Sequence, residues 1–401
     1  MSTSANTTPA SNQGNTKQNP LKDLIKFGQA VWLDYIRRDL LTTGELKRMI
    51  ENDGLRGMTS NPSIFEKAIT GSTLYAQTLK DLEQRKDLDA KGRYEQLAIK
   101  DIQDAADIFR PVYEQTKFHD GYVSLEVSPY LAHKTQETIT EARRLWKAVG
   151  RPNVMIKVPG TPEGIPAIQQ LVSEGLNINV TLLFALEVYV RVAEAYIAGL
   201  ETFVKGGGDP SRSASVASFF ISRIDTLVDG EIDAKLKTAT NPADVTALKN
   251  LHGKVAIANG KLTYQRYKQL FSGARWDALA AKGAQVQRVL WASTSTKNPA
   301  YGDIYYVENL IGKDTVDTIP PATYDAFRDH GKPRASLEEN VEAAQETMQG
   351  LEKAGISMKA ATDKLTEEGV KQFASAFDTL LAAVAQHTGD KQSGAASAVT
   401  K

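Results

Sequence analysis

The chain of 401 residues contains no cysteine, which excludes disulfide bonds, thiol catalysis and cysteine-ligated metal sites. Its five histidines show no spacing typical of metal ligands. Also missing are the motifs G-x-x-x-x-G-K-[ST], G-x-G-x-x-G, G-x-S-x-G and H-E-x-x-H, which mark nucleotide, serine-hydrolase and zinc sites. We therefore expect a protein without a cofactor, and specifically without a bound metal or nucleotide.

The chain also lacks an excess of charge and any long apolar run. Lysine plus arginine and aspartate plus glutamate number 48 each, so no net charge attracts the protein to nucleic acid or to a membrane surface. No stretch approaches the apolar length of a membrane span. The first 20 residues lack the basic start and apolar centre of a secretory signal. We expect a soluble cytoplasmic protein with no nucleic-acid or membrane partner.

Two terminal segments differ in composition from the rest of the chain. Residues 1–20 are rich in Ser, Thr, Asn and Pro, and residues 388–401 are rich in Gly, Ser and Ala. Such segments bury too little apolar surface to fold, so we predict a disordered tail at each end. No linker interrupts residues 21–387, and we predict one domain there, because α/β barrels often exceed the usual domain length.

Short apolar runs that indicate strands alternate with longer helical patterns. The strand candidates are residues 31–33, 57–58, 122–125, 154–159, 178–181, 214–220, 289–292 and 316–319. This alternation predicts an α/β protein with a parallel sheet, and eight is the strand number of the closed (β/α)8 TIM barrel. An open doubly wound sheet is the alternative.

Apolar residues at three- and four-residue spacing predict the helices. Two such patterns run over residues 99–112 and 182–197, the second beginning at Leu182. Gly175 and Gly355 stand where helix ends are expected. Segments 66–118 and 225–287 are longer than one crossover helix, so each should hold several. Residues 336–387 should form terminal helices that pack on the outside.

Lys157 stands inside the fourth strand candidate, between Ile156 and Val158. Burial of an ammonium group costs desolvation free energy and favours the neutral amine. A neutral amine is a nucleophile that can form a Schiff base with a carbonyl substrate. Alternatively, the side chain extends from the strand end into water, and the strand alone does not separate these two interpretations.

Polar residues stand at or just beyond the ends of six successive strand candidates: Asp34, Asn61, Glu126, Lys157, Thr181 and Ser218. In a (β/α)8 barrel the carboxyl ends of the strands form the catalytic face. Asp34 and Glu126 are suited to the proton transfers of Schiff-base chemistry, with Thr181 positioning a water. Structural interpretations also exist: Asp34 as a cap, Glu126 as the salt-bridge partner of Lys157, and Asn61 as a turn residue. Asn61 and Asn179 could also hydrogen-bond substrate hydroxyl groups.

A second set of residues predicts a phosphate site. The segment 293–298 after the seventh strand candidate is rich in hydroxyl groups and contains Lys297. Barrels of this kind commonly bind phosphate after strands seven and eight. Arg223, five residues beyond Ser218, adds a guanidinium group suited to bidentate phosphate contact. An ordinary polar loop is the alternative.

Two segments, GMTSNPSIF at 57–65 and MIKVPGTPEGI at 155–165, carry a resemblance to the transaldolase family in its long bacterial form. The first is similar to the T-[ST]-N-P segment of that family and the second to its active-site lysine segment. Their order and spacing are specific, and the resemblance extends over residues 21–387.

The resemblance implies a (β/α)8 barrel of the class I aldolase type with additional helices. It implies transfer of a dihydroxyacetone unit from sedoheptulose 7-phosphate to glyceraldehyde 3-phosphate, giving erythrose 4-phosphate and fructose 6-phosphate, in the pentose phosphate pathway. Lys157 resembles the Schiff-base lysine, and Asp34 resembles the acid/base at carbon–carbon cleavage. Glu126 and Thr181 resemble the pair that holds the catalytic water.

The same resemblance implies the remaining ligands of the substrate. Asn61 and Asn179 match residues around the bound dihydroxyacetone unit. Ser218 and Arg223 match a serine and a phosphate-binding arginine after the sixth strand.

The chain departs from the shorter form of the family at one position. That form has an arginine two residues after the serine that Ser293 matches, and this chain has Ser295 there. We expect Lys297 to supply the missing charge, as in the longer bacterial form. The expected partners are sugar phosphates, and a homo-oligomer is an open alternative to a monomer.

Two other functions compete with transaldolase. A fructose 6-phosphate aldolase releases free dihydroxyacetone, but such relatives are much shorter and usually use a tyrosine at the acid/base step, so chain length and Asp34 favour transfer. A non-catalytic phosphosugar-binding module is the other alternative. A module of that kind should have lost Lys157 or Asp34, and both are present.

Overall fold

The computed structural model describes residues 19–387, and within them eight parallel strands form a closed barrel. The strands are β1 (Gln29–Asp34), β2 (Gly57–Thr59), β3 (Tyr122–Glu126), β4 (Val154–Pro159), β5 (Ile178–Leu183), β6 (Ser215–Phe220), β7 (Arg288–Ala292) and β8 (Thr315–Ile319). Each strand pairs with the next, and β1 pairs with β8, where Val31 lies opposite Asp317. The predicted (β/α)8 barrel is confirmed, and the open sheet is wrong.

Helices surround the barrel along the described part of the chain. They are α1 (Pro20–Asp23), α2 (Arg38–Thr42), α3 (Glu45–Asp53), α4 (Pro62–Thr70), α5 (Ala76–Glu83), α6 (Ala90–Gln115), α7 (Thr135–Val149), α8 (Gly164–Ser173), α9 (Leu186–Lys205), α10 (Ser222–Leu236), α11 (Pro242–Lys249), α12 (Val255–Leu270), α13 (Ala274–Ala280), α14 (Tyr305–Asn309), α15 (Pro321–His330), α16 (Val341–Lys353) and α17 (Met358–His387). Both long predicted segments hold several helices, as expected. Among the helices of residues 19–387, none combines the length and apolar character that crossing a membrane requires.

Local sequence signals explain where several helices begin and end. The side chain of Asn61 accepts a hydrogen bond from the backbone N–H of Ile64 at 3.0 Å, and Pro62 follows as the first residue of α4. Gly175 and Gly355 lie just beyond α8 and α16 with φ of +83° and +67°, a left-handed conformation that suits glycine. Both predicted helix ends are confirmed.

Leu182 differs from its prediction, since it belongs to β5 and α9 begins only at Leu186. The pairing of β5 with β6 shifts in register between Val180 and Leu183, and Leu182 has φ of +60°. This irregularity extends the strand beyond Thr181 and buries Leu182 there, so its apolar character reflects the strand and not a helix.

The start of the described chain also differs from its prediction. Asn19 and Pro20, expected at the end of a disordered tail, form the N-cap and first residue of α1, and Asn19 accepts a hydrogen bond from the backbone of Leu21. An Asn-Pro pair is a common helix start, which explains this boundary. The predicted tails at 1–18 and 388–401 lie outside the described residues, and the single domain over 21–387 stays a prediction.

The terminal helices divide between two locations. Helix α16 packs against α12 on the outside of the barrel, as predicted. Helix α17 instead packs across α4, α6 and α10 and contacts β5, and its Phe373 reaches a cavity at the carboxyl ends of the strands. The outside location is wrong for α17, because an amphipathic pattern predicts a buried face but not which surface covers it.

One glycine allows a large side chain to fill the barrel interior. Trp32 is fully buried in β1, and Gly57 of β2 lies opposite it in register. A Cβ atom on Gly57 would lie 2.5 Å from the indole ring. The indole Nε1 donates to Asp120, which also accepts from Arg288 at 2.9 Å. The strand pair β1–β2 therefore requires glycine at this position.

We expect Gly57→Ala to lower the free energy of unfolding by about 1–3 kcal/mol, because the added methyl group overpacks the interior against Trp32. Urea denaturation of the whole chain measures this change. Gly230→Ala is the control, since a Cβ there meets no atom within 4 Å and α10 should gain up to about 1 kcal/mol from it. Equal stability of the two variants would contradict the packing argument.

Candidate active site

A cavity of about 220 Å³ opens at the carboxyl ends of the strands. Eight of the ten predicted site residues line it: Asp34, Asn61, Lys157, Thr181, Ser218, Arg223, Ser293 and Lys297. The other two lie directly behind this lining, with Glu126 next to Lys157 and Asn179 bonded to Ser218. The barrel therefore brings all ten residues to one end.

Lys157 is 5% exposed and its amine points into the barrel. The Nζ atom donates a hydrogen bond to the backbone oxygen of Ser60 at 2.9 Å and lies 3.4 Å from Oε2 of Glu126. The centre of the Phe373 ring lies 5.9 Å from the same nitrogen. The interpretation of Lys157 as a side chain extending into water is therefore wrong.

Two carboxyl groups near Lys157 have perturbed acidity. Burial raises the pKa of Glu126, and the charge of Lys157 opposes that effect without cancelling it. Burial also raises the pKa of Asp34, against the opposing effects of Lys157 and of a hydrogen bond from Thr59. Acids with a raised pKa are the groups that exchange protons efficiently near neutral pH.

A pair of hydroxyl groups orients the Asp34 carboxylate. Thr59 Oγ1 donates to Asp34 Oδ1 at 2.7 Å. Thr318 Oγ1 lies 2.7 Å from Thr59 Oγ1, and because the single hydroxyl hydrogen of Thr59 goes to Asp34, Thr318 is the donor in this contact. The chain of bonds from β8 through β2 to β1 holds the carboxylate at the cavity wall.

The amide of Asn179 is fixed in one orientation by its two neighbours. Ser218 Oγ donates to Asn179 Oδ1 at 2.6 Å, and Asn179 Nδ2 donates to Ser124 Oγ at 3.1 Å. Thr181 differs, because its buried hydroxyl has no hydrogen-bond partner among the described residues. Buried hydroxyl groups normally have a hydrogen-bond partner, so a ligand or water in the cavity is expected to bond Thr181. This agrees with the predicted role of Thr181 in positioning a water.

Two cationic side chains stand at the mouth of the cavity. Arg223 Nη1 donates to Gln372 Oε1 at 2.8 Å, and Lys297 Nζ donates to Ser295 Oγ at 2.7 Å. Burial lowers the pKa of Arg223 and, together with the Arg223 charge, the pKa of Lys297. Neither cation has a carboxylate within hydrogen-bond distance in the described part of the chain, so an anion here would relieve their mutual repulsion.

The segment 293–298 after β7 reaches the mouth of the cavity through a strained backbone conformation. Ser293 has φ of +56°, its oxygen accepts from the backbone N–H of Ser222, and the two hydroxyl oxygens are 3.1 Å apart. Thr294 donates to Asp317 at 2.9 Å, and burial raises the pKa of Asp317 to about 8. Left-handed non-glycine residues persist where surrounding contacts hold them, often at functional sites. The start of α10 therefore faces the hydroxyl-rich segment that was predicted to bind phosphate.

Several residues at the cavity were not predicted from the sequence. Thr59 is the last residue of β2 and Thr318 the second-last of β8, so both could have been found by the same rule as Asp34. Phe373 and Gln372 lie on α17, and only tertiary packing brings them to the cavity, so no local signal marks them. Within residues 19–387 no group of three His, Asp or Glu residues is placed to hold a metal ion.

Known proteins resemble the chain over nearly its whole length. The family model for transaldolase/fructose-6-phosphate aldolase matches residues 31–384. Transaldolase from Trichodesmium erythraeum is 49% identical over 369 residues, which cover 90% of this chain and 96% of that relative. Transaldolase 2 from Nostoc sp. is 48% identical over 366 residues, with coverage of 90% and 96%. Transaldolase from Thiobacillus denitrificans is 46% identical over 366 residues, with coverage of 91% and 99%. The chain belongs to the transaldolase/fructose-6-phosphate aldolase family.

Proposed function

We propose that this protein is a transaldolase that transfers a dihydroxyacetone unit from sedoheptulose 7-phosphate to glyceraldehyde 3-phosphate, through a Schiff base at Lys157. The products are erythrose 4-phosphate and fructose 6-phosphate, which place the reaction in the pentose phosphate pathway. The observation that carries the proposal is a buried lysine amine, flanked by two carboxyl groups of raised pKa and lying below two cations. The name of the relatives at 46–49% identity supports it.

In the first half of the reaction, the Lys157 amine adds to the donor carbonyl carbon and gives a carbinolamine. Glu126, through a water held with Thr181, supplies the proton that lets the hydroxyl leave as water and the iminium form. Asp34 then removes the proton from the hydroxyl at carbon 4. The bond between carbons 3 and 4 breaks, its electron pair moves towards the iminium nitrogen, and the first aldose leaves.

In the second half, the enamine left on Lys157 attacks the aldehyde carbon of the acceptor. Asp34 returns its proton to the new hydroxyl group, and water then releases the ketose and restores the amine. Asn61 and Asn179 hold the hydroxyl groups of the three-carbon unit. Arg223, Ser293 and Lys297 bind the phosphate at the mouth of the cavity.

Release of free dihydroxyacetone, as in a fructose 6-phosphate aldolase, is the second candidate because the family model spans both activities. Asp34 at the acid/base position favours transfer. A non-catalytic binding role is disfavoured, since all ten predicted residues come together at one end of the barrel. The cytoplasmic location, the homo-oligomer and the absence of cofactor, nucleic-acid and membrane partners stay predictions.

Borohydride reduction in the presence of fructose 6-phosphate should add a three-carbon unit to Lys157, because reduction traps the iminium. Mass spectrometry of peptides locates the adduct. Lys157→Met should abolish both adduct and turnover while circular dichroism stays unchanged. Lys261→Met is the matched control, since Lys261 is a second buried lysine that donates to the backbone oxygen of Glu339 outside the cavity. An adduct on another lysine would remove Lys157 from the mechanism.

Thr59→Val should move the acid limb of the kcat/KM profile to higher pH. The Thr59 hydrogen bond favours the carboxylate form of Asp34 and lowers its pKa, so its loss raises that pKa, and the active carboxylate is lost at a higher pH. Thr318→Val is the control: it leaves the Thr59–Asp34 hydrogen bond in place, so the acid limb should stay near its wild-type pH. A shift to lower pH in Thr59→Val would contradict the role of Asp34 as base.

Arg223→Ala should raise KM for phosphorylated donors about 10- to 100-fold with a smaller change in kcat, because the charged hydrogen bonds it removes act in ground and transition states alike. Steady-state kinetics with fructose 6-phosphate and with unphosphorylated fructose separates the phosphate from the sugar contribution. The control is Arg212→Ala, an exposed arginine over Phe118, outside the cavity lining. An unchanged KM would take Arg223 out of the phosphate site.

A further inference from the structure

The segment 293–298 presents alternate side chains to two sides at its start. Ser293 and Ser295 line the cavity, whereas Thr294 between them is fully buried. The Thr294 hydroxyl donates to Oδ1 of Asp317 at 2.9 Å. The residue between the two cavity serines is therefore bonded to the barrel and not to the cavity.

Asp317 stands in the middle of β8, on the face that points away from the cavity. Its neighbour Thr318 lines the cavity, and successive side chains of a strand point to opposite faces. Asp317 is fully buried, and its Oδ2 atom has no hydrogen-bond partner among residues 19–387. A buried acid with an unpaired oxygen costs stability that an apolar residue of similar size would not, so the one bond it makes requires an explanation.

Burial raises the pKa of Asp317 to about 8, so at pH 7 this carboxyl group is mainly neutral. A neutral carboxyl group accepts a hydrogen bond on one oxygen and carries a proton on the other. An asparagine amide has the same pattern of one acceptor and one donor side. The hydrogen bond from Thr294 therefore requires an acceptor at this position but not a negative charge.

This bond helps to hold a backbone conformation that is unfavourable by itself. Ser293 has φ of +56°, and a residue other than glycine keeps such a conformation only where its surroundings enforce it. On one side, the backbone oxygen of Ser293 accepts from the N–H of Ser222 at 3.0 Å. On the other side, Thr294 is bonded to Asp317. Loss of the second contact lets Ser293 return to an ordinary φ and redirects the residues that follow it.

The cation of this segment depends on the same contact. Lys297 Nζ donates to Ser295 Oγ at 2.7 Å, and Ser295 directly follows Thr294 in the sequence. A rotation of the backbone at Thr294 therefore displaces the hydroxyl group that holds the ammonium group. Groups that are already in place bind a ligand more tightly, because less ordering is required on binding.

We propose that Asp317 is a positioning residue, which holds segment 293–298 in the conformation that binds the phosphate group of the substrate. The inference rests on the proposed function, because that function assigns this segment to the phosphate. Asp317 contacts no substrate and acts through Thr294. Its effect should therefore appear in the binding of phosphorylated sugars and much less in the chemistry at Lys157.

Asp317→Leu nearly keeps the size of the side chain and removes the acceptor for Thr294. We expect it to raise KM for fructose 6-phosphate about tenfold, which corresponds to about 1.4 kcal/mol, with kcat within about threefold of wild type. KM for unphosphorylated fructose should stay at its wild-type value, because fructose carries no phosphate. Steady-state kinetics of the complete protein with saturating erythrose 4-phosphate as acceptor measures both constants.

Two further variants test the bond itself. Asp317→Asn should keep KM for fructose 6-phosphate within about twofold of wild type, since its amide oxygen accepts from Thr294 as the neutral carboxyl group does. Thr294→Val should raise this KM as much as Asp317→Leu does. The double variant Thr294→Val with Asp317→Leu should raise it no further, because both changes remove the same interaction.

Thr315→Val is the matched control. Thr315 is buried two residues earlier on β8, on the same face as Asp317, and its hydroxyl bonds Gln29 and Gly312 outside the cavity lining. Its KM for both sugars should equal the wild-type values. An equal rise in Thr315→Val, or an equal rise for fructose and fructose 6-phosphate in Asp317→Leu, would indicate a general loosening of β8 and overturn the proposal.

Two other results would also overturn it. One is an Asp317→Asn variant that binds fructose 6-phosphate as weakly as Asp317→Leu. The other is an unchanged KM in both Asp317→Leu and Thr294→Val. If Asp317→Leu does not fold, Thr294→Val decides the outcome, because valine keeps the shape of the threonine side chain.

A parallel experiment separates this proposal from the proposed function. Borohydride trapping of wild type with fructose 6-phosphate reports whether the Schiff base forms at Lys157. Absence of an adduct overturns the proposed function. An adduct in wild type, combined with an unchanged KM in Asp317→Leu and Thr294→Val, overturns only the role of Asp317.

Discussion

The buried amine of Lys157 sets the conditions that its neighbours have to satisfy. An ammonium ion removed from water is destabilised by several kcal/mol unless hydrogen bonds and an opposite charge compensate it. The Ser60 backbone oxygen and the Glu126 carboxylate provide that compensation. Glu126 can do so because β3 and β4 place it directly opposite Lys157 in register. A slip of one residue would turn the lysine to the outer face of the barrel.

Charge is arranged by depth around this amine. The acids Asp34 and Glu126 stand close to it, where burial raises the pKa of both. The cations Arg223 and Lys297 stand at the mouth. Burial lowers the pKa of Lys297, and the nearby charge of Arg223 lowers it further. In the proposed mechanism this arrangement separates proton transfer from anion binding, so a phosphate at the mouth need not lie against the two carboxyl groups.

Much of this site follows from strand ends that can be located in the sequence. Apolar runs predicted all eight strands, and the polar residues at their ends come together at one end of the barrel because parallel strands end on the same side. Leu182 was misassigned, since a register shift has no signature in spacing. Phe373 and Gln372 were not predicted at all. Their position depends on where α17 packs. Helix α17 packs against α4, α6 and α10, which are distant in sequence, so its local sequence does not determine that position.

The position of α17 along the chain has a consequence for biosynthesis. A chain emerges from the ribosome amino end first, and its early segments fold before its late ones are made. All eight strands precede α17, so a nascent barrel could present the Lys157 amine to any carbonyl compound in its surroundings. Phe373 covers that amine only after α17, the last described helix, has been translated. Covering of the Lys157 amine is therefore tied to the synthesis of α17.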